Sequence, residues 1–485
     1  MNMFIFPERT EDRYFAAVTD YSVCFCIALL VIVAIWYGLY LLAFKRDQKG
    51  RPLFEVIKCG LPYLPVLAVA LVLKLPGGFL TNDEYSILND ATHLIHDTWF
   101  NYMTVYYYIV SLILIPVQYG PIITKVIIEF FVVGYCVYRT REYYGKAGGY
   151  GMYLLFLLYP VIAYTTSAHR LPIYFLIYLA VFAKLLFDYL EKKPCSKSLA
   201  FVLVAGAVLT QWRTEGIYLL VLIPVLLFIV YPSLRKPKWA VSLILAYILI
   251  QYILWIPQNG AVSSNLDGAA NDRMKPFYAY TITNMYRNGL DLQKNAADLA
   301  IVDRYLSLDA IEAINEHYED INYEDVLILY AEGFVGVREN AGDKEFYEYS
   351  EALKRIFVNN PDVFIRTRWG AFCYAARPYH IVLPGEGVRG LVASVISVVK
   401  TVTYNLFIPV LFAAGMLIFS LVRRKWYSFF VFGGIMAHWF IVFILAPASY
   451  FKYYFPVYIV SYFYAVLILV RALLCKDRDR LYPLV

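Results

Sequence analysis

Charge is what this chain has little of. Only 16% of its 485 residues are Asp, Glu, Lys or Arg, where a soluble domain carries about 25%, and 61% are hydrophobic. That excludes a soluble protein folded around one core. Cysteine is sparse and scattered (Cys24, Cys26, Cys59, Cys136, Cys195, Cys373, Cys475), which excludes a disulfide framework and a cysteine-rich metal centre. Short alternating apolar and polar segments are missing, which excludes a membrane β-barrel. The absence of an internal repeat speaks against a transporter built from inverted halves. No cleavable leader is expected: residues 1–21 are polar and charged, and the apolar run 22–44 is of full span length with no small-residue cleavage site after it. The net charge of +6 is spread over many loops, so nucleic acid is not an expected partner.

Long apolar runs take the place of charge. They lie at about 22–44, 60–75, 102–119, 121–139, 150–166, 170–190, 198–212, 216–231, 239–257, 404–422, 426–446 and 451–474, and a bilayer-crossing helix needs about 20 such residues. The expected fold is all-α, a polytopic transmembrane helical bundle of about 11–12 membrane helices with a helical extracytoplasmic domain. Basic clusters at 45–58, 139–146, 192–197, 235–238, 423–425 and 471–480 mark the cytoplasmic side. Alternation then fails at one place. Two apolar runs, 102–119 and 121–139, separate a non-cytoplasmic loop from the cytoplasmic cluster at Arg139, where an odd number of crossings is required. The expectation is that part of 84–119 lies along the membrane or re-enters it, leaving eleven crossings. Gln118-Tyr119-Gly120-Pro121 breaks the helix there. Lys125 and Glu129, four apart, are expected to pair on one helix face.

Three parts follow: a transmembrane bundle over 1–257, an extracytoplasmic helical domain over 258–403, and C-terminal membrane helices with a basic cytoplasmic tail over 404–485. Residues 258–390 carry thirteen Lys and Arg against twenty Asp and Glu. Helices are expected after an Asp309/Glu312 capping pair, from Asn322 to Gly333, from Asp343 to Val358, and from Asn360-Pro361 onward. Arg366 and Arg368 read as the solvated face of that last helix, and 388–403 as an amphipathic interfacial helix.

The chemistry-bearing residues gather in the loops placed outside. Residues 76–101 contain Asp83, Glu84, Asp90, His93, His96 and Asp97 and no Lys or Arg. Asp83 and Glu84 also suit the start of a helix. Three further polar turns fall on the same face: Thr165-Thr166-Ser167-Ala168-His169-Arg170, Gln211-Trp212-Arg213-Thr214-Glu215-Gly216, and Ser449-Tyr450-Phe451-Lys452-Tyr453-Tyr454. Arg170, Arg213 and Lys452 at headgroup level suit the phosphate of a lipid-linked sugar. They equally suit interfacial anchors, and Arg213 and Glu215 suit a simple pair. A carboxylate beside them suits proton removal from an acceptor hydroxyl. His169, Trp212, Glu215 and Tyr453 are supporting candidates. His93 and His96, with Asp90 or Asp97, are weak candidates for a divalent metal; no other cofactor is implied.

Thr81-Asn82-Asp83-Glu84-Tyr85 resembles the first-loop acidic motif of the GT-C superfamily of integral-membrane glycosyltransferases, nearest to its aminoarabinose-transferase and protein-mannosyltransferase branch. Arg213-Thr214-Glu215-Gly216 is similar to a turn of related bacterial proteins, and the stretch Asn360–Phe372 to their outer regions. The resemblance implies a polyprenyl-phosphate sugar donor, a cell-envelope glycan, lipid or protein acceptor, and a place in the cytoplasmic (inner) membrane. It implies Asp83 as catalytic base with Glu84 assisting; from their position and charge, Arg213, Arg170 and Lys452 are expected on the donor phosphate. The chain departs from the pattern in its additional run 22–44. It also has His96-Asp97-Thr98-Trp99 where a His-Pro-Pro or Lys-Pro-Pro segment often stands. A polymerase or ligase of lipid-linked glycans, and a transporter or flippase, are the alternative expectations.

Overall fold

A computed structural model describes residues 26, 29, 30, 33, 52–74, 82–93, 100–167, 169–192, 196–259, 267–318, 326, 329, 336–338, 341–377 and 387–474. The expected span 22–44 and the helix at 322–333 lie almost wholly outside them. The described residues form an all-α polytopic bundle. They divide into two compact units. The larger falls within Met1–Gln258, Ala414–Gly434 and Ile459–Val485, the smaller within Asn259–Ala413 and Ile435–Tyr458. Residues of the expected C-terminal part, 404–485, therefore occur in both.

The larger unit opens with α1 (Pro52–Gly60) and, after a 3₁₀ turn at Leu61–Tyr63, α2 (Leu64–Lys74). Two short helices follow, α3 (Asn82–His93) and α4 (Tyr102–Leu114). Next come α5 (Gly120–Phe156), α6 (Tyr159–Thr165), α7 (Leu171–Glu191), α8 (Ser196–Trp212), α9 (Leu219–Val230) and α10 (Pro237–Asn259).

The 37 residues of α5 are not one rod. Gly145 has φ 75° and ψ −176°, a backbone region open to glycine alone. Beyond it the chain doubles back: a Cβ on Gly149 would lie 3.4 Å from Val137 O, and the Tyr63 hydroxyl reaches both Glu129 at 3.2 Å and Phe156 O at 2.7 Å. In a continuous helix Glu129 and Phe156 would stand about 40 Å apart. α5 is a helical hairpin whose second arm continues through α6.

Among the described residues, seven helical stretches are long and apolar enough to cross a bilayer. The hairpin divides one of these into two arms, and α8 and the segment Thr214–Val230 are shorter apolar helices, each about 25 Å long. α7 is the central helix. Of its apolar window 72% is buried, against 17% for α10, which therefore lies at the periphery with its side chains turned to lipid. Within the core, Asp188 of α7 accepts from Lys184 at 2.7 Å and from Tyr231, so this buried carboxylate is paired. α1 and α5 meet through small residues: a Cβ on Gly134 would stand 2.3 Å from Val56 O.

The smaller unit contains α11 (Asp267–Arg287), α12 (Ala296–Val302), α13 (Leu308–His317), α14 (Asp343–Asn359), α15 (Pro361–Ala376) and α16 (Gly387–Thr403). Its core joins Tyr278, Ile282, Met285, Phe346, Tyr349, Leu353 and Ile356. Ser307, not the expected Asp309/Glu312 pair, caps α13, its hydroxyl accepting from Ala310 N at 3.3 Å. The serine stands immediately before the helix, where the first free amides point. Arg368 corrects the expectation of a solvated face. It is 1% exposed, its guanidinium donating to Phe443 O and Ala446 O at 2.7 Å each. These carbonyls end α18 (Trp426–Leu445), so the arginine satisfies a helix C-terminus. Burial lowers its pKa, with Tyr454 and Tyr280 opposing. Arg366 remains exposed. α16 shows Leu391, Val395, Val398, Val399 and Val402 on one exposed face, the stripe expected of an interfacial helix. α17 (Phe407–Val422), α18 and α19 (Phe455–Leu474) close the chain and, like α16, are apolar.

Candidate functional site

The site lies at one end of the larger unit, organised around α4. At 13 residues this helix is about 20 Å long, short of the roughly 30 Å hydrocarbon core. Asn101 starts it, accepting from Met103 N at 3.0 Å and donating to Gln211 O at 2.9 Å. Tyr102 N donates to Gln258 at 2.9 Å and the Tyr102 hydroxyl to Leu254 O at 2.8 Å. Its first residues thus touch the C-terminal ends of α8 and α10. Nearly two turns on, Tyr108 lies within electrostatic reach of Glu84, Arg170 and Asp83, at the N-terminal ends of α3 and α7. α4 therefore runs across this end of the larger unit.

Asp83 and Glu84 occupy the first turn of α3, where the helix dipole favours acids. The turn between α6 and α7 faces them. Thr165, Thr166 and Ser167 hydroxyls donate back to Val161 O, Ile162 O and Tyr164 O at 2.8, 2.7 and 2.6 Å, satisfying the carbonyls that end α6. Arg170 Nη1 donates to Asp83 Oδ2 at 2.8 Å, and its guanidinium lies 4.1 Å from the centroid of the Phe100 ring. His169 Nδ1 is 3.1 Å from Glu84 Oε1. The two carboxylates differ sharply: Asp83 is 46% exposed, Glu84 1%, and Glu84 Oε2 has no hydrogen-bond partner among the described residues.

Lys125 has partners that helical spacing did not show. Glu129 accepts from the Tyr63 hydroxyl, and its Oε2 has no hydrogen-bond partner among the described residues. Lys125, 2% exposed, donates to Ser167 O and, at 2.8 Å, to His169 O. It pins the turn that presents His169 and Arg170. The signal was a lysine one turn inside an apolar run; helical spacing pointed to Glu129, which Lys125 reaches electrostatically, and was silent on the carbonyls.

The second polar turn sits one helical turn away along α4. Trp212 Nε1 donates to Thr104 Oγ1 at 3.0 Å, and Thr104 precedes Tyr108 by four residues. Arg213 is tied to Glu215, Nε lying 3.2 and 3.1 Å from the two carboxylate oxygens and Nη2 also donating to Oε1. The pair is 18% and 14% exposed. Gly216 folds the turn onto α8, since a Cβ there would stand 2.3 Å from Leu209 O.

Asp83, Glu84, His169, Arg170, Trp212, Arg213 and Glu215 thus share one end of the larger unit. Lys452 and Tyr453 belong to the smaller unit, where the Lys452 ammonium lies 4.6 Å from the Tyr450 ring centroid and Tyr453 O accepts from His438 Nε2 at 3.2 Å. His96 and Asp97 lie outside the described residues. His93 turns back to Asn89 O at 2.8 Å, and no group of three metal-ligating side chains forms among the described residues. The chain matches no protein-family model, no curated protein and no solved structure.

Proposed function

We propose that this protein is a lipid-carrier-dependent glycosyltransferase that takes a sugar from a polyprenyl phosphate at the non-cytoplasmic face of the cytoplasmic membrane and passes it to a cell-envelope glycan, lipid or protein. One observation carries the reading: a partly exposed Asp83–Arg170 pair stands directly beside a pair of the buried Glu84 with the partly exposed His169, at the end of a membrane bundle. The reaction needs a cation for the departing phosphate and a base for the acceptor hydroxyl, and this cluster holds both kinds of group.

Arg170 suits the phosphate better than Arg213. A solvent-facing ion pair is worth about 0–1 kcal/mol, so a phosphate can take the guanidinium from Asp83 at small cost. Arg213 is held by both oxygens of Glu215 in a more enclosed place, and suits a structural tie between α4 and α8. The test is donor loss in membranes containing the full chain, supplied with pooled polyprenyl-phosphate sugars. Wild type should consume donor, and Arg170→Ala should reduce consumption about 10²-fold or more. No consumption by wild type overturns the reading. Glu129 Oε2, inside the bundle and without a hydrogen-bond partner among the described residues, favours transport as the second reading.

A further inference from the structure

We propose that His169 Nε2, rather than Asp83, takes the proton from the acceptor hydroxyl, with Glu84 as the residue that fixes the imidazole; this rests on the sugar-transfer reading. An ionised carboxylate only accepts hydrogen bonds, so the 3.1 Å contact to Glu84 Oε1 places a hydrogen on Nδ1. In the neutral ring the lone pair then sits on Nε2. That nitrogen has no hydrogen-bond partner among the described residues, and the side chain is 21% exposed, so it opens toward the site surface. Glu84 is almost wholly buried and lies behind the ring as an orienting carboxylate does in an acid–imidazole dyad.

The neighbours hold this arrangement from every side. Lys125 of α5 grips the His169 carbonyl at 2.8 Å. Tyr164 of α6 packs its ring 6.1 Å from the imidazole. Tyr108 of α4 faces Glu84 and Arg170. Asp83 is differently engaged: its Oδ2 accepts from Arg170, so its carboxylate holds the guanidinium that is to meet the phosphate. Asp83 thus acts through Arg170, as a positioning residue.

The step balances within these groups and the two substrates. The acceptor oxygen attacks the anomeric carbon, forming the new C–O bond as the C–O bond to phosphate breaks. The phosphate oxygen leaves with the electron pair and is met by Arg170. The hydroxyl proton passes to His169 Nε2, and Glu84 balances the imidazolium until water removes the proton.

The experiment uses the full chain in membranes or lipid nanodiscs with pooled polyprenyl-phosphate sugars. His169→Asn keeps a donor toward Glu84 but cannot act as base, so kcat should fall about 10²- to 10⁴-fold at little change in donor KM. Glu84→Gln should lower kcat about 10- to 100-fold. Asp83→Asn should act mainly on donor KM, leaving kcat within about tenfold of wild type. A wild-type kcat in His169→Asn, or the full fall in kcat for Asp83→Asn, overturns the proposal. Ring ¹⁵N NMR reads the same arrangement without any reaction. His169 should show a protonated Nδ1 and an unprotonated Nε2, lost in His169→Asn and redistributed between the nitrogens in Glu84→Gln. The opposite tautomer in wild type overturns the dyad. This second reading is independent of sugar transfer, so a wild type that consumes no donor yet shows the expected tautomer rejects the reaction and not the geometry.

Discussion

Gly216→Ala is the sharpest test of how the second polar turn is built. The added methyl would lie 2.3 Å from Leu209 O, 3.2 Å from Leu209 C and 3.1 Å from the Tyr174 hydroxyl. An ordinary carbon–oxygen contact is about 3.3–3.6 Å, so the turn must move away from α8 by about 1 Å. The obstructing atom is backbone in the last turn of a membrane helix, so no rotamer change relieves it. Trp212 is anchored to Thr104 at 3.0 Å and Tyr218 to Tyr178 at 2.7 Å. The displacement therefore concentrates on Arg213–Glu215. Overpacking of this kind costs about 1–3 kcal/mol, which lowers Tm by about 2–6 °C in a large domain. The assay is thermal unfolding of the purified full chain in detergent. Gly415→Ala is the control, because nothing lies within 4 Å of a Cβ there; replacing a helical glycine at such a place stabilises by up to about 1 kcal/mol. Refutation is plain: Gly216→Ala melting at or above wild type, as the control should.

Arg368→Met should leave the carbonyls of Phe443 and Ala446 buried without donors, at about 1–3 kcal/mol for each, seen as a lower Tm and yield. Arg368→Lys should not restore it, because one ammonium cannot reproduce the two-pronged contact. In the smaller unit, Asp303 accepts from Leu308 N at 2.9 Å and from Arg338, which lowers its pKa. A depressed carboxyl stabilises the fold above its unfolded value of about 3.9 and loses that contribution as pH falls below it. Melting profiles between pH 5 and 3, taken as a rough window around that value, should therefore flatten in Asp303→Asn. An unchanged slope would remove Asp303 from the acid response.

Much of this was legible in the sequence for a simple reason. Span length and basic clusters are dictated by the bilayer, and both can be read residue by residue. The helix starts at Asp343 and Pro361 are local as well, set by Gly342, Glu345 and Asn360. What was missed or misread shares a different cause. Lys125 lies four residues from Glu129, but its hydrogen bonds go to carbonyls about forty residues away. Arg368 alternates with apolar neighbours as a surface residue would, yet the groups that satisfy it come from another helix. Periodicity reports which face a side chain occupies and is silent on what tertiary packing brings to that face. The site was legible as a set of polar turns on one end. Its internal pairing, Asp83 with Arg170 and Glu84 with His169, depended on how α3 docks on the turn before α7.

The reversal at Gly145 bears on how the protein is made. Membrane insertion proceeds segment by segment, and each crossing sets the sidedness of the next. A side chain at 145 that disfavours φ 75° would encourage the two arms of α5 to propagate as one continuous helix, replacing two crossings by one. Every segment from α6 onward, including the turn that carries His169 and Arg170, would then be delivered to the opposite compartment. The glycine at 145 and the basic residues on either side of it thus act together to set the side on which the following turn emerges.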